Sequence, residues 1–151
     1  MDRSTKGIKI IISACNTLKG TVDAIVDGAV NSEVTLRLAS GAIVYAVITI
    51  ESVRSLGLVP GKTAYALFKP SWVLLTLTDE KFAMSARNRL CGTVSRVIKG
   101  AVNTEVILDL GNDNALAAII TNESQNWLQF SIGKSACGLI KASHVLLAID
   151  S

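Results

Sequence analysis

A set of polar residues occurs twice in this chain. Ser13, Asn16, Thr21, Asn31, Glu33, Thr49, Glu51, Ser52, Lys62, Lys69 and Ser71 each return, identical in type, 72 positions later. Hydroxyls, amides and two lysines dominate the set. Together they offer O–H and N–H donors and a point positive charge, the equipment that holds a small oxyanion. Backbone N–H groups near Ser52, or in the Gly28–Asn31 turn, would complete such a cage. Groups that make and break bonds are missing from the shared set. The single histidine, His144, stands where the first copy has Trp72, and no cysteine is shared. There is no paired-carboxylate site with a shared base, no glycine-rich phosphate loop and no GxSxG elbow. The expectation is binding without catalysis. Taken singly, each residue has a plainer use: Ser and Thr cap helices, Asn serves turns, and a strand-end lysine is a solvated charge.

The recurrence extends over the whole chain. "GAVNSEV" at 28–34 returns as "GAVNTEV" at 100–106, and no gap is needed between residues 12 and 150. Roughly 30 of about 67 aligned pairs are identical, the mark of an internal repeat. Two modules are expected, 12–78 and 84–150. The joint Thr78-Asp79-Glu80-Lys81 is short and polar, without a Gly, Ser or Pro run. Such a joint implies copies packed together, not tethered beads.

Composition narrows the class. The chain has 151 residues, 50% hydrophobic and 18% charged, with a net charge of +3. Modules of this size sit near the lower limit for a self-sufficient core, so an oligomer that hides surplus apolar surface is expected. The longest apolar stretch, Ala42 to Ile50, is too short to span a bilayer. The first residues lack the pattern of a secretory signal, which points to a cytoplasmic location. Without a basic run, and with aromatics at 5%, no nucleic-acid surface is advertised. The cysteines, Cys15, Cys91 and Cys137, occupy non-equivalent positions in the repeat. Reduced structural thiols are the expectation.

The elements that position the polar set read as follows. Val22, Ala24 and Val26 alternate with polar neighbours, Asp27-Gly28 turns, and Val34, Leu36 and Leu38 alternate again. "AIVYAVIT" makes a third strand. "TIESVRSLGL" makes a short helix, capped by Thr49 or Ser52 and ended by Gly57. "TAYALFK" and Trp72 to Leu77 supply strands four and five. The order β-β-β-α-β-β predicts an all-β protein: two tandem five-stranded Greek-key barrels of the oligonucleotide/oligosaccharide-binding (OB) type, each with one short helix.

The stretches "MSARNRLCGTV" (84–94), "GAVNTEV" (100–106), "ITNES" (120–124) and "IKASHVLL" (140–147) resemble the molybdate-binding Mop domain family, the molbindins. So do "ISACNTLKGTV", "GAVNSEV", "ITIES" and "FKPSWVLL" in the first copy. The resemblance covers nearly the whole chain. It implies the same barrel, a bound molybdate or tungstate, no organic cofactor, and trimers with oxyanion sites between modules. It also implies a storage role, with a sensing role through a partner as the alternative. The implied oxyanion ligands in copy two are Ser85, Arg87, Asn88, Thr121, Ser124, Lys141, Ala142 and Ser143. In copy one they are Ser13, Asn16, Thr49, Ser52, Lys69, Pro70 and Ser71. A second site is implied at Val30-Asn31 and Val102-Asn103.

Copy one departs from the motif twice. Cys15 replaces Arg, and Pro70 replaces Ala142 and removes an N–H. A cation contact to a dianion contributes roughly 1.5–3 kcal/mol, so sites that use Cys15 are expected to be about ten- to a hundredfold weaker.

Overall fold

A computed structural model describes residues 16–78 and 83–150. Copy one contains β1 (Asn16–Asp27), β2 (Asn31–Leu38), β3 (Ile43–Thr49), α1 (Ile50–Leu56), β4 (Thr63–Phe68) and β5 (Leu74–Leu77). Copy two repeats the order with β6 (Asn88–Lys99), β7 (Asn103–Gly111), β8 (Asn114–Thr121), α2 (Asn122–Leu128), β9 (Ser135–Ile140) and β10 (Leu146–Ala148). This is the all-β, two-barrel OB-like architecture expected from the sequence. The fifth strand in each copy begins later than expected. Pro70–Trp72 and Ala142–His144 form short 3-10 turns before it. Pro70 sits at the first position of its turn, where a fixed φ fits and a missing N–H costs nothing.

The strand order is β10-β4-β1-β2-β3 in one sheet and β5-β9-β6-β7-β8 in the other. Each sheet therefore takes its closing strand from the opposite copy. Leu146, Leu147 and Ala148 pair with Leu67, Ala66 and Tyr65, while Leu74 to Leu77 pair with Leu139 to Ala136. Val-Leu-Leu opens the stretch in both copies, at 73–75 and 145–147. Either strand thus fits either groove, and the exchange sacrifices no side-chain complementarity.

Inward-facing Leu18, Val22, Val34, Leu36 and Val44 of copy one and Leu90, Val94, Val106, Leu108 and Leu116 of copy two belong to one continuous hydrophobic core that runs through both barrels. The alternation expected for Val22, Ala24 and Val26 is broken. A bulge between Val22 and Ala24 shifts the register, so Ile25 turns toward the core and Val26 is 65% exposed. Copy two bulges at the matching place, between Val94 and Arg96. An extra residue on one strand reverses the inside-outside phase of everything after it. Before the first bulge, position 20 is glycine because a Cβ there would lie 2.7 Å from Leu36 Cγ and 2.8 Å from Arg37 O.

Two buried asparagines join the copies. Asn16 Nδ2 donates to Ala117 O at 2.8 Å, and Ala117 N donates to Asn16 Oδ1 at 2.8 Å. Asn88 does the same with Tyr45, at 2.8 and 2.7 Å. Each amide imitates one rung of a β-ladder between barrels. The expectation for the cysteines is corrected in part. Cys91 and Cys137 are a disulfide, because β6 and β9 set them directly opposite each other. Non-equivalence in the repeat gave no hint of this, since the bond joins neighbouring strands within one sheet.

Candidate functional site

Each helix start carries a hydroxyl pair. Thr49 Oγ1 accepts from Ser52 N–H at 3.0 Å and donates to Ser52 Oγ at 2.8 Å. Thr121 and Ser124 repeat this at 3.0 and 2.9 Å. An extended residue before the helix supplies the cap, and the cap fixes both hydroxyls at its mouth. The helix ends use the other shared lysines. Lys62 Nζ donates to Leu56 O at 3.0 Å, and Lys134 Nζ to Leu128 O at 2.8 Å. These ammonium groups satisfy terminal carbonyls. Lys69 and Lys141 remain as the exposed shared cations.

Lys69 and Lys141 open the 3-10 turns, their carbonyls accepting from Trp72 N at 3.0 Å and His144 N at 2.9 Å. Because the closing strands are exchanged, each turn crosses to the other barrel: that of copy one packs on β8 and that of copy two on β3. The crossing brings distant polar residues together. Ser71 joins Thr121 and Ser124 in lining a cleft of about 270 Å³. Ser71 also joins Ser85 and Lys141 in a neighbouring cleft of about 350 Å³, with Trp72 and His144 in its wall. Trp72 and His144, equivalent in the repeat, stack with ring centroids 4.9 Å apart. Lys69 Nζ lies 5.5 Å from the Trp72 ring.

Other expected ligands have different surroundings. The amides of Asn16 and Asn88 are engaged with backbone across the seam and hold the frame. Pro70 and Ala142 are buried in their turns, while Ser143 is exposed. Arg87 points to copy one. Its Nη1 donates to Glu33 Oε2 at 2.6 Å, and its guanidinium lies 4.2 Å from the Tyr45 ring. Ser13 and Cys15 lie outside the described residues. The Val30 and Val102 carbonyls accept from Ile50 and Asn122 N–H, which ties these exposed turns to the helices. Asn31 and Asn103 accept from Gly28 and Gly100 N–H. Val30 and Thr49 line a separate groove of about 560 Å³ with Arg54 and Glu51. Another groove, of about 480 Å³, carries Lys19 and Arg37, with Arg37 already paired to Asp23 at 3.0 Å. It holds none of the expected ligands.

Sequence reasoning missed Tyr45 and Glu33 as partners of Arg87, and His144 as a wall of the cleft. A signal existed for the last: in a repeat, equivalent residues meet where a pseudo-twofold axis passes.

The fold and its seams define a class of double OB-like barrel proteins in which polar side chains of both copies converge on shared clefts. The chain belongs to the TOBE domain family, whose pattern matches residues 12–75 and 84–147. It is 46% identical over 134 residues to the molybdenum-pterin-binding protein MopA of Rhodobacter capsulatus, covering 89% of this chain and 51% of MopA. It is 34% identical over 138 residues to the transcriptional dual regulator ModE of Escherichia coli K12, covering 90% of this chain and 51% of ModE. The chain thus spans about half the length of these relatives. The structure matches that of the cytoplasmic molybdate-binding protein ModG, in a form with molybdate bound, with a TM-score of 0.90. The match has 44% identity and covers 93% of this chain and 100% of ModG.

Proposed function

We propose that the chain binds molybdate at the seams between its barrels and between copies of itself. The observation that carries this reading is the convergence of Ser71 from one copy with Ser85 and Lys141 from the other around one cleft. The donor set suits the ligand. Molybdate is a tetrahedral dianion with four acceptor oxygens and no donor at neutral pH. Hydroxyl and ammonium groups satisfy it, and they satisfy tungstate of the same charge and shape. Phosphate carries an O–H at neutral pH, which a cage of donors leaves unpaired, and sulfate is smaller and sits loosely. Ser13, Ser52, Thr49, Thr121, Ser124, Lys69, Arg87 and Ser143 complete the sites when chains associate as trimers. Val30-Asn31 and Val102-Asn103 line secondary sites. The role is storage and buffering of molybdenum in the cytoplasm, without turnover.

Calorimetric titration with molybdate, tungstate, sulfate and phosphate tests the ligand. Saturable binding of the first two, with the last two at least tenfold weaker, is the expected result. Equal affinity for all four, or none for molybdate, sinks the reading. Native mass spectrometry with added molybdate tests the trimer and counts the anions. Similarity to ModE supports a second reading, a sensor acting through a partner. A pull-down that captures a partner only with molybdate present would favour it.

A further inference from the structure

The repeat is asymmetric at one point where its two halves meet. Trp72 and His144 occupy equivalent positions and stack against each other, so the contact is indole on one side and imidazole on the other. Both rings line the cleft that holds Ser85 and Lys141. His144 is half-buried, and its backbone N–H is spent on Lys141 O at 2.9 Å. Among the described residues no hydrogen bond engages its ring nitrogens, and its aromatic partner Trp72 meets it tilted at 34°. An imidazole always has at least one ring N–H to donate. The Lys141 ammonium stands on the same wall. A tetrahedral dianion in this cleft would meet a hydroxyl, an ammonium and an imidazole together.

We propose that His144 is a direct ligand of the oxyanion in the cleft formed with Ser85 and Lys141. It is a donor that the equivalent Trp72 side of the repeat cannot match in the same place. This rests on the oxyanion-binding reading above and adds a residue to it. The ring has two separable properties, its aromatic contact with Trp72 and its polar nitrogens. His144→Phe keeps the first and removes the second. His144→Gln keeps a donor and gives up the ring.

The test is calorimetric titration of the intact protein with molybdate at one fixed pH near 7.5, for wild type and both variants, each first checked for an unchanged oligomer. His144→Phe is expected to weaken the tightest class of site about tenfold, the loss of one hydrogen bond to a charged partner. His144→Gln is expected to stay within about threefold of wild type. A second readout is molybdate-dependent emission of Trp72, in a Trp127→Phe background because exposed Trp127 would otherwise add its own signal. The emission change is expected to persist in His144→Gln. Wild-type affinity in His144→Phe overturns the proposal, as does equal weakening by both variants, which would mean that His144 acts through packing. If wild type itself binds no molybdate, the underlying reading fails as well, so the two failures are distinguishable.

Discussion

Two seams join the barrels, and they differ in a paired way. Where β3 of copy one meets the start of β6, Arg87 lies over Tyr45 and bonds Glu33. At the equivalent seam the sequence puts Cys15 for Arg87 and Ala117 for Tyr45, while the glutamate persists as Glu105. The guanidinium and the ring that supports it are therefore present together or absent together. The asparagine beside each is retained, and its two bonds to the opposite strand are nearly identical in length. Duplication preserved what holds the barrels together and let the charged decoration diverge. The sheets diverge likewise. Cys91 and Cys137 are bonded in copy two, where copy one opposes Lys19 and Tyr65.

The largest effect should come from that last difference. The bonded cysteines are 46 residues apart, a closure worth about 4 kcal/mol in the chain-entropy model. Urea unfolding with and without reductant should show a loss approaching that size. A Cys137→Ser variant should be insensitive to reductant. Reductant-insensitive wild-type protein would make the two sheets equivalent after all.

The asparagine clamps come next. Asn88→Ala strands a part-buried N–H and C=O of Tyr45, a cost of about 2 kcal/mol. Asn16→Ala should cost the same, because Ala117 is held in the same way. Markedly unequal midpoints in denaturant would show that the seams differ in strength as well as in charge.

On the proposed oxyanion reading, with Arg87 as one of the ligands, Arg87→Ala should remove roughly 1.5–3 kcal/mol from the tighter class of site, making the two proposed classes converge. The reciprocal graft, Cys15→Arg with Ala117→Tyr, should strengthen the weaker class, and Cys15→Arg alone should do less. A single affinity class in wild type, unmoved by these changes, would erase the comparison.

The smallest effect is on pH dependence. Burial first, then the hydrogen bond to Asp150 and its negative charge, raise the Tyr65 hydroxyl above the ordinary 10.0. Its hydroxyl donates to Asp150 Oδ2 at 3.4 Å. A raised folded-state pKa gives stability that is fully present below pH 10 and lost as the pH climbs through the folded value. Alkaline melting curves should fall earlier for wild type than for Tyr65→Phe, which has nothing to ionise there. Copy two has a cysteine at the equivalent place and adds no such dependence.

Much of this was legible in the chain. The Thr49 cap, the αL Gly57 and the inward faces of β2 follow from local chemistry, because each depends on residues a few positions apart. The bulge after Val22 was hidden, since alternation in a sequence cannot reveal one extra residue in a strand. The partners of Arg87, Asn16 and Asn88 were hidden too. They lie on the other copy, and no spacing rule links residues 43 or 101 positions apart.

The sequence by itself determined that there are two similar barrels, what elements each copy supplies, and which donors recur. Tertiary structure alone decided which barrel each fifth strand completes, because near-identical strands satisfy either groove equally. That choice carries Ser71 across the seam to Thr121, Ser124 and Lys141. Where two grooves are chemically alike, only the path of the chain in space selects between them.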